Sequence, residues 1–326
     1  MLEVKVLEVA FYYPAPFATR LLASLGAEVI KIEPPYGDPS RVLGEIYVAM
    51  NFGKKVMQID LKTEEGRKKF LELAESSDVV VEGLRPGTAK RLGIDYETVS
   101  KINPKIIYCS ISAFGQRSKL SRLPAHDVNI LGLTGILEIC GKGVPLDPNI
   151  QFADFSSSMV AVIAILSALI ERERTGIGKR IDISMLKSAI FGVPIHLTSI
   201  LNGSGFVKAL VRNPGYGIYR TKDGYITLGI VAEEHFWNRL CEAMGMQRIP
   251  LSEAIEKYEE VREELERKFA GISTRELVEK LRAADVPVFE VQKIEEIEKL
   301  EDLLGENLFE EVEYEGKKVK LAKFPW

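Results

Sequence analysis

Cysteine, histidine and tryptophan are scarce in this chain of 326 residues, which has three, three and two of them. Cys109, Cys140 and Cys241 lie far apart, form no C-x-x-C pair and sit in largely apolar runs. That pattern argues for buried, inert thiols in a reducing compartment and against a disulfide framework or a metal site. An excess of one charge is also lacking: 43 Lys and Arg stand against 47 Asp and Glu, a net charge of −4. Such a balance does not provide a nucleic-acid-binding surface. The longest apolar stretch, Met159 to Ile170, falls far short of the roughly 20 residues a membrane span needs. The N-terminus has no basic stretch ahead of an apolar one, and the C-terminal KFPW is no peroxisomal address, so a cytoplasmic protein is expected.

A dinucleotide fingerprint is missing too. The turn after the first strand reads AFYYPAPF, with no G-x-G-x-x-G to admit a pyrophosphate. What surrounds that turn is nevertheless an α/β pattern. Strand-like runs at Val4–Val9, Glu28–Ile32, Val56–Ile59, Val79–Val81 and Ile106–Ser112 alternate with helical ones, including Thr63–Ser76 behind a Thr N-cap. The order predicts a Rossmann-like, mostly parallel, doubly wound sheet. Two long helical patterns follow, near Val128–Ile139 and Ser156–Arg174, then a strand at RIDIS and a third helix. A Gly-rich loop spans Gly203–Gly217, and a K-D-G turn joins the strands of the hairpin GIYRTKDGYITLGI. Ser252–Leu281 is charged and helical, and Pro287–Val291 and EEVEYEGKKVKLAKF read as strands returning to a sheet. The expected organisation is a large domain over 1–190, a smaller α+β domain over 191–304, and 305–326 rejoining the first.

Candidate chemistry concentrates at a few polar positions. His126 stands in P-A-H-D-V-N just ahead of a helical pattern, where free backbone N–H groups can hold an anion; helix capping and catalysis are both open to it. His196 lies in an apolar run and reads as structural, and His235 as an exposed residue at a helix start. Asp154 precedes a long helix, where a carboxylate is either an N-cap or a catalytic group partly desolvated by Phe152 and Phe155. Glu233 opens the helix after the hairpin, which capping alone explains. Lys54, Lys55, Lys62, Arg85 and Arg91 are candidate phosphate ligands, with Arg85 in the tight turn G-L-R-P-G at the carboxyl end of the sheet.

These segments resemble the class III CoA-transferase family, and within it the alpha-methylacyl-CoA racemases. The similarity runs through VLEVAFYYPAPFATRLLASLGAEVIKIE, MNFGKKVMQIDLK, SSDVVVEGLRPGTAKRLGIDYE, PAHDVNILGLTGIL and QFADFSSSMVAVIAILSALIERERTGIGKRIDISM. The resemblance implies an acyl-CoA substrate, no separate cofactor, and two chains interlocked as a homodimer. It implies contacts to CoA from Ile59, Asp60, Leu61, Lys62 and Arg85, and from Ala125, Asp127 and Asn129 of the A-H-D-V-N segment. The racemases pair a histidine with an aspartate and a glutamate, matched here by His126, Asp154 and Glu233. That match predicts an isomerase acting on 2-methylacyl-CoA by 1,1-proton transfer, with helix-terminal N–H groups near Asp154 stabilising the enolate. The alternative is a CoA transferase in which Asp154 is the nucleophile, forming anhydride and enzyme-thioester intermediates. Three departures from the family pattern are Pro34 in place of an arginine, Ala125 in place of a glycine, and Ser156–Ser158 in place of a glycine-rich stretch.

Overall fold

The computed structural model describes residues 2–141 and 143–325. The chain divides into two compact units, Met1–Val193 with Asn307–Trp326, and Pro194–Glu306.

In the first unit strands and helices alternate from the start: β1 (Lys5–Val9), α1 (Pro14–Ser24), β2 (Glu28–Glu33), α2 (Glu45–Asn51), β3 (Lys55–Gln58), α3 (Glu64–Glu75) and β4 (Val79–Glu82). There follow α4 (Thr88–Leu92), α5 (Tyr96–Ile102), β5 (Ile107–Ser112), α6 (Asp127–Thr134), α7 (Ile136–Cys140), α8 (Phe152–Thr175), β6 (Lys179–Ser184) and α9 (Met185–Phe191). The strands form one parallel sheet in the order β3-β2-β1-β4-β5-β6. Period-two alternation sends neighbouring residues to opposite faces. Val6, Val79, Val81 and Cys109 pack with Ala18 and Leu22 of α1 and Ala161 and Ile165 of α8. Leu7, Val80 and Tyr108 pack instead with Phe70 of α3 and Val99 of α5. Both faces are covered, which is why strands such as VVVE read as continuous apolar runs. The strand order reverses direction between β1 and β4, and open sheets of this kind bind ligands at that crevice, beyond the carboxyl ends of their strands.

Buried charge fixes the loop that leaves β1. Glu8 and Lys31 are fully buried. Glu8 pairs with Lys31 and with Lys54, each at 2.8 Å, and Lys31 also pairs with Asp38 at 2.9 Å. Thr19 donates to Glu8 at 2.6 Å. Burial alone would raise the Glu8 carboxyl, but Lys54 and Lys31 overcome it and hold the group down at about 2. The two ammonium groups also bind main-chain carbonyls: Lys31 donates to Ala10 O at 2.7 Å and Lys54 to Pro16 O at 2.8 Å. The segment from Ala10 to Pro16 is thereby anchored at both ends from beneath.

The second unit holds α10 (Pro194–Leu201), α11 (Phe206–Val211), β7 (Tyr216–Arg220), β8 (Tyr225–Gly229), α12 (Glu234–Ala243), α13 (Leu251–Glu256), α14 (Tyr258–Ala270), α15 (Thr274–Ala283), β9 (Val288–Glu290) and α16 (Lys299–Leu304). Strands β7, β8 and β9 form an antiparallel sheet. Its core gathers Trp237, Leu265, Phe269 and Leu281, and the Trp237 indole donates to Ile249 O at 2.9 Å. The K-D-G turn is pinned by Asp223, which accepts from the Thr274 N–H and hydroxyl at 2.8 Å each.

Four local expectations are corrected. The Gly-rich stretch at Gly203–Gly217 contains the helix α11, not only loop. The terminal strands β10 (Phe309–Tyr314) and β11 (Lys317–Ala322) pair with each other in a separate two-stranded sheet, packed through Val312, Val319 and Leu321 on Val48 of α2. The helical pattern over Val128–Ile139 is broken in two by Gly135, whose φ of 76° ends α6. Cys109 and Cys241 are buried, but Cys140 is exposed at the end of α7. By length and composition α8 is apolar enough to cross a membrane. Its apolar inner face, including Ala161, Ile165 and Ala168, lies in the core against the sheet.

Candidate active site

Two adjoining cavities open at the carboxyl ends of the parallel strands. The first, about 860 Å³, is bounded by Val9, Ile32, Pro34, Tyr36, the segment Ile59–Glu64, Arg67, Leu84, Thr88 and Arg91. The residues Ile59, Asp60, Leu61 and Lys62 thus lie together on one wall, and Pro34 stands on the same cavity. The wall is built by a turn that requires glycine. Asp60 O accepts from the Thr63 N–H and hydroxyl, and Thr63 caps α3 by accepting from Gly66 N at 3.0 Å. A Cβ on Gly66 would sit 2.0 Å from Asp60 O, so no side chain fits there. Three cations, Lys62, Arg67 and Arg91, border this cavity.

The second cavity, about 540 Å³, carries His126 and Asp154 on its walls. It is lined by loops after β1 (Phe11, Tyr12, Tyr13) and after β4 (Gly83, Leu84, Arg85, Pro86), by Ser112 at the end of β5 and Ala113 and Ser121 beyond it, with Ala125, His126, Asp154 and Met185. Phe11, Leu84 and Thr88 border both cavities. Arg85, expected alongside Lys62, faces this second space instead.

Asp154 lies in the first turn of α8. Among the described residues no donor reaches its carboxylate. Burial first, and the negative charge of Asp127 second, push its carboxyl up to about 7. Its backbone is held firmly: Asp154 O accepts from Ser157 at 3.0 Å and Ser158 at 2.8 Å, and the Ser158 hydroxyl also lies 2.8 Å from Pro14 O. The serines that replace a glycine-rich stretch therefore tie the start of α8 to the start of α1. Rings continue that link. Tyr13 stacks on Phe17 at 5.4 Å, and Phe17 meets Phe155 at 6.2 Å. Tyr12 adopts φ 64°, a left-handed conformation costly for a bulky side chain, where the chain turns into α1. Burial, together with the charges of Asp154 and Asp127, raises the Tyr13 phenol to about 12 and keeps it a neutral donor.

His126 caps α6 from an extended backbone, and its N–H donates to the Asn129 side chain at 3.0 Å. The Asn129 Oδ1 is thus occupied in the cap. Asp127 is buried, and its Oδ1 accepts from Asp154 N at 2.9 Å. This corrects the expected role of the first-turn N–H groups of α8 as oxyanion donors: the Asp154 N–H is already bound to Asp127. Glu233 belongs to the second unit, where its carboxylate accepts from Val231 N at 2.8 Å and Ala232 N at 3.0 Å. Those N–H groups hold the Glu233 carboxyl below its usual range.

Sequence reasoning missed three contributors. Tyr13 carried no motif, the Asp127–Asp154 contact joins residues 27 apart, and Glu82 was hidden in an apolar strand. Glu82 is buried at the end of β4 and accepts from Leu84 N at 2.8 Å, which shapes the loop carrying Arg85. Burial pushes its carboxyl up to about 7. The polar residue inside VVVE, directly before G-L-R-P-G, was the available signal. Among the described residues, no group of three or more His, Cys, Asp or Glu side chains is arranged to hold a metal ion.

A family model described as CoA-transferase family III matches residues 1–326. The human succinyl-CoA:glutarate CoA-transferase is 34% identical over 248 residues, covering 72% of this chain and 57% of its own length. The acetyl-CoA:oxalate CoA-transferase of Acetobacter aceti is 33% identical over 258 residues, covering 74% of this chain and 65% of its own. The chain thus spans less than two thirds of these curated relatives. The crystal structure of Rv3272 from Mycobacterium tuberculosis superposes with a TM-score of 0.87 at 28% identity, covering 99% of this chain and 91% of that one. The named relatives are transferases, which overturns the expectation of an isomerase. The triplet that suggested a racemase was a weak signal, since its glutamate does local structural work: Glu233 binds the main chain of its own loop.

Proposed function

The chain belongs to CoA-transferase family III, and from that premise we propose that it moves coenzyme A between two carboxylic acids with Asp154 as nucleophile. The observation that carries the reading is the Asp154 carboxylate itself. Among the described residues no donor reaches it, and it lies on a cavity that adjoins a larger, cation-bordered one. The larger cavity takes the nucleotide end of CoA, with Lys62, Arg67 and Arg91 toward its phosphates and Ile59–Leu61 along the adenine. The pantetheine arm passes Leu84 and Thr88 and brings the thioester to Asp154.

The chemistry needs only the side chains present. The Asp154 carboxylate attacks the thioester carbonyl, the carbon–sulfur bond breaks, and an acyl-aspartyl anhydride and the CoA thiolate result. The thiolate attacks the aspartyl carbonyl, which releases the donor acid and leaves an aspartyl-CoA thioester. An acceptor carboxylate reverses these two steps and departs as the new thioester. Each attack places negative charge on a carbonyl oxygen, where a neutral donor is worth about 3 kcal/mol. Tyr13, neutral and on the wall of the same cavity, supplies that donor. Desolvation makes Asp154 the stronger nucleophile, at the cost of leaving it protonated below about pH 7.

The acids exchanged are small dicarboxylates. Arg85 lines the cavity and, among the described residues, has no carboxylate partner, so it is free to hold the distal carboxylate of an acid reacting at Asp154. The relatives named above act on succinyl-CoA and glutarate, and on acetyl-CoA and oxalate. The working assembly is a dimer. Phe155, Met159, Ile163 and Ile170 expose an apolar stripe along α8, and Phe191 of α9 is 78% exposed.

Succinyl-CoA mixed with glutarate tests the reading by chromatography of the thioesters, and borohydride reduction of trapped enzyme tests for the aspartyl-CoA thioester. Glutaryl-CoA formation that disappears in Asp154→Ala is expected. Absence of CoA exchange across succinate, glutarate and oxalate, with the protein folded, overturns it.

A further inference from the structure

The Asp127 carboxylate belongs to α6, yet it is spent on α8. Its Oδ1 accepts from Asp154 N at 2.9 Å, and the residue is only 8% exposed. The family resemblance of the A-H-D-V-N segment placed it among the CoA contacts. The geometry points elsewhere: we infer that Asp127 is a positioning residue, whose carboxylate fixes the first turn of α8 from a neighbouring helix and places a like charge next to Asp154. The inference rests on the transferase reading only for its catalytic consequence.

Two functions meet in one carboxylate. As an acceptor for first-turn N–H groups it performs the task of an N-cap from a different helix, and α8 has no side-chain cap of its own. As a like charge beside Asp154 it disfavours ionisation of that group, the second cause after burial of its raised carboxyl. Other charges face the pair. Tyr13 looks on from the loop before α1, Arg85 and His126 line the same cavity, and Asp147 acts on Asp127. None of these is shown donating to the Asp154 carboxylate. Asp127 itself is raised by burial, opposed by the N–H groups of Asp154 and Ala153.

The arrangement separates position from charge, so the two parts can be tested apart. Asp127→Asn keeps an oxygen that can accept from Asp154 N and removes the charge. Asp127→Ala removes both. The full-length protein, labelled with carboxyl-13C aspartate, is titrated by NMR, with Asp154→Asn assigning the signal. In Asp127→Asn the Asp154 midpoint is expected to fall by about one pH unit or more, and the acid limb of the transferase rate moves with it. In Asp127→Ala the rate at saturating substrate falls as well. An unmoved Asp154 midpoint in folded Asp127→Asn overturns the inference. If that variant does not fold, the wild-type titration decides. Coupled carboxylates give the Asp127 signal a second inflection at the Asp154 midpoint, and its absence overturns the inference equally. Should no CoA exchange occur, the carboxyl titration still decides the role of Asp127, while the transferase reading fails separately.

Discussion

Replacing Asp154 by asparagine should make the protein more stable in alkaline solution while abolishing exchange. The Asp154 carboxyl titrates at about 7 in the folded chain because burial and Asp127 oppose its charge. An unfolded chain returns it to the ordinary range near 4. The folded state therefore holds the proton more tightly, and stability is fully retained in acid and lost as pH rises toward 7. Above that value the ionised group costs about 4 kcal/mol. Its place in the first turn of a helix and its partial exposure reduce the net figure to about 2–3 kcal/mol. Asparagine removes the charge and keeps the shape. For a unit of about 200 residues, that gain raises the unfolding midpoint by roughly 5–10 °C at pH 8.5. The advantage should vanish near pH 4, where both side chains are neutral. Calorimetry of the two proteins at pH 4, 6 and 8.5 reads the difference directly. A gain that does not depend on pH, or a loss at pH 8.5, refutes the reasoning.

The remaining expectations are simpler. Transferase rate at saturating substrate should rise with pH through about 7, as Asp154 ionises, and a rate flat from pH 5.5 to 8.5 contradicts the nucleophile. His126→Ala should keep activity within about tenfold of wild type, because removing a true acid–base group costs about a hundredfold or more. Lys54→Met leaves the buried Glu8, Lys31 and Asp38 cluster with one negative charge in excess and should destabilise the chain by about 3 kcal/mol in urea unfolding. Ile163→Glu on the exposed face of α8 should convert a dimer to monomers in light scattering, and an unchanged mass removes that face from the interface.

Much of the first unit was legible because its strands are buried on both faces. Runs such as VVVE and IYCSIS can satisfy that condition only as central parallel strands, and the helices between them carry local caps such as Thr63. The return of the chain at β10 and β11 was visible as alternation, but alternation does not name a partner, and among the described residues these strands pair with each other in a two-stranded sheet. The candidate site divides in the same way. Asp154 and His126 sit at helix starts, a local signal, and both line one cavity. The contact of Asp127 with Asp154 N spans 27 residues and is decided by how α6 meets α8. Tyr13 gains its place from a strained neighbour and a stack of rings, neither of which leaves a mark in composition.

The ion cluster beneath the Ala10–Pro16 segment bears on how this sequence can drift. Glu8, Lys31, Lys54 and Asp38 are mutually neutralising, and the side chains of Glu8, Lys31 and Lys54 are fully shielded from water. Losing any one of them alone strands a buried charge, so single-step substitution is closed at all four positions. A coordinated exchange for apolar residues would keep the packing, but it would release the carbonyls of Ala10 and Pro16 that the two ammonium groups hold. The loop above can therefore change only by steps that leave the Ala10 and Pro16 carbonyls within reach of Lys31 and Lys54.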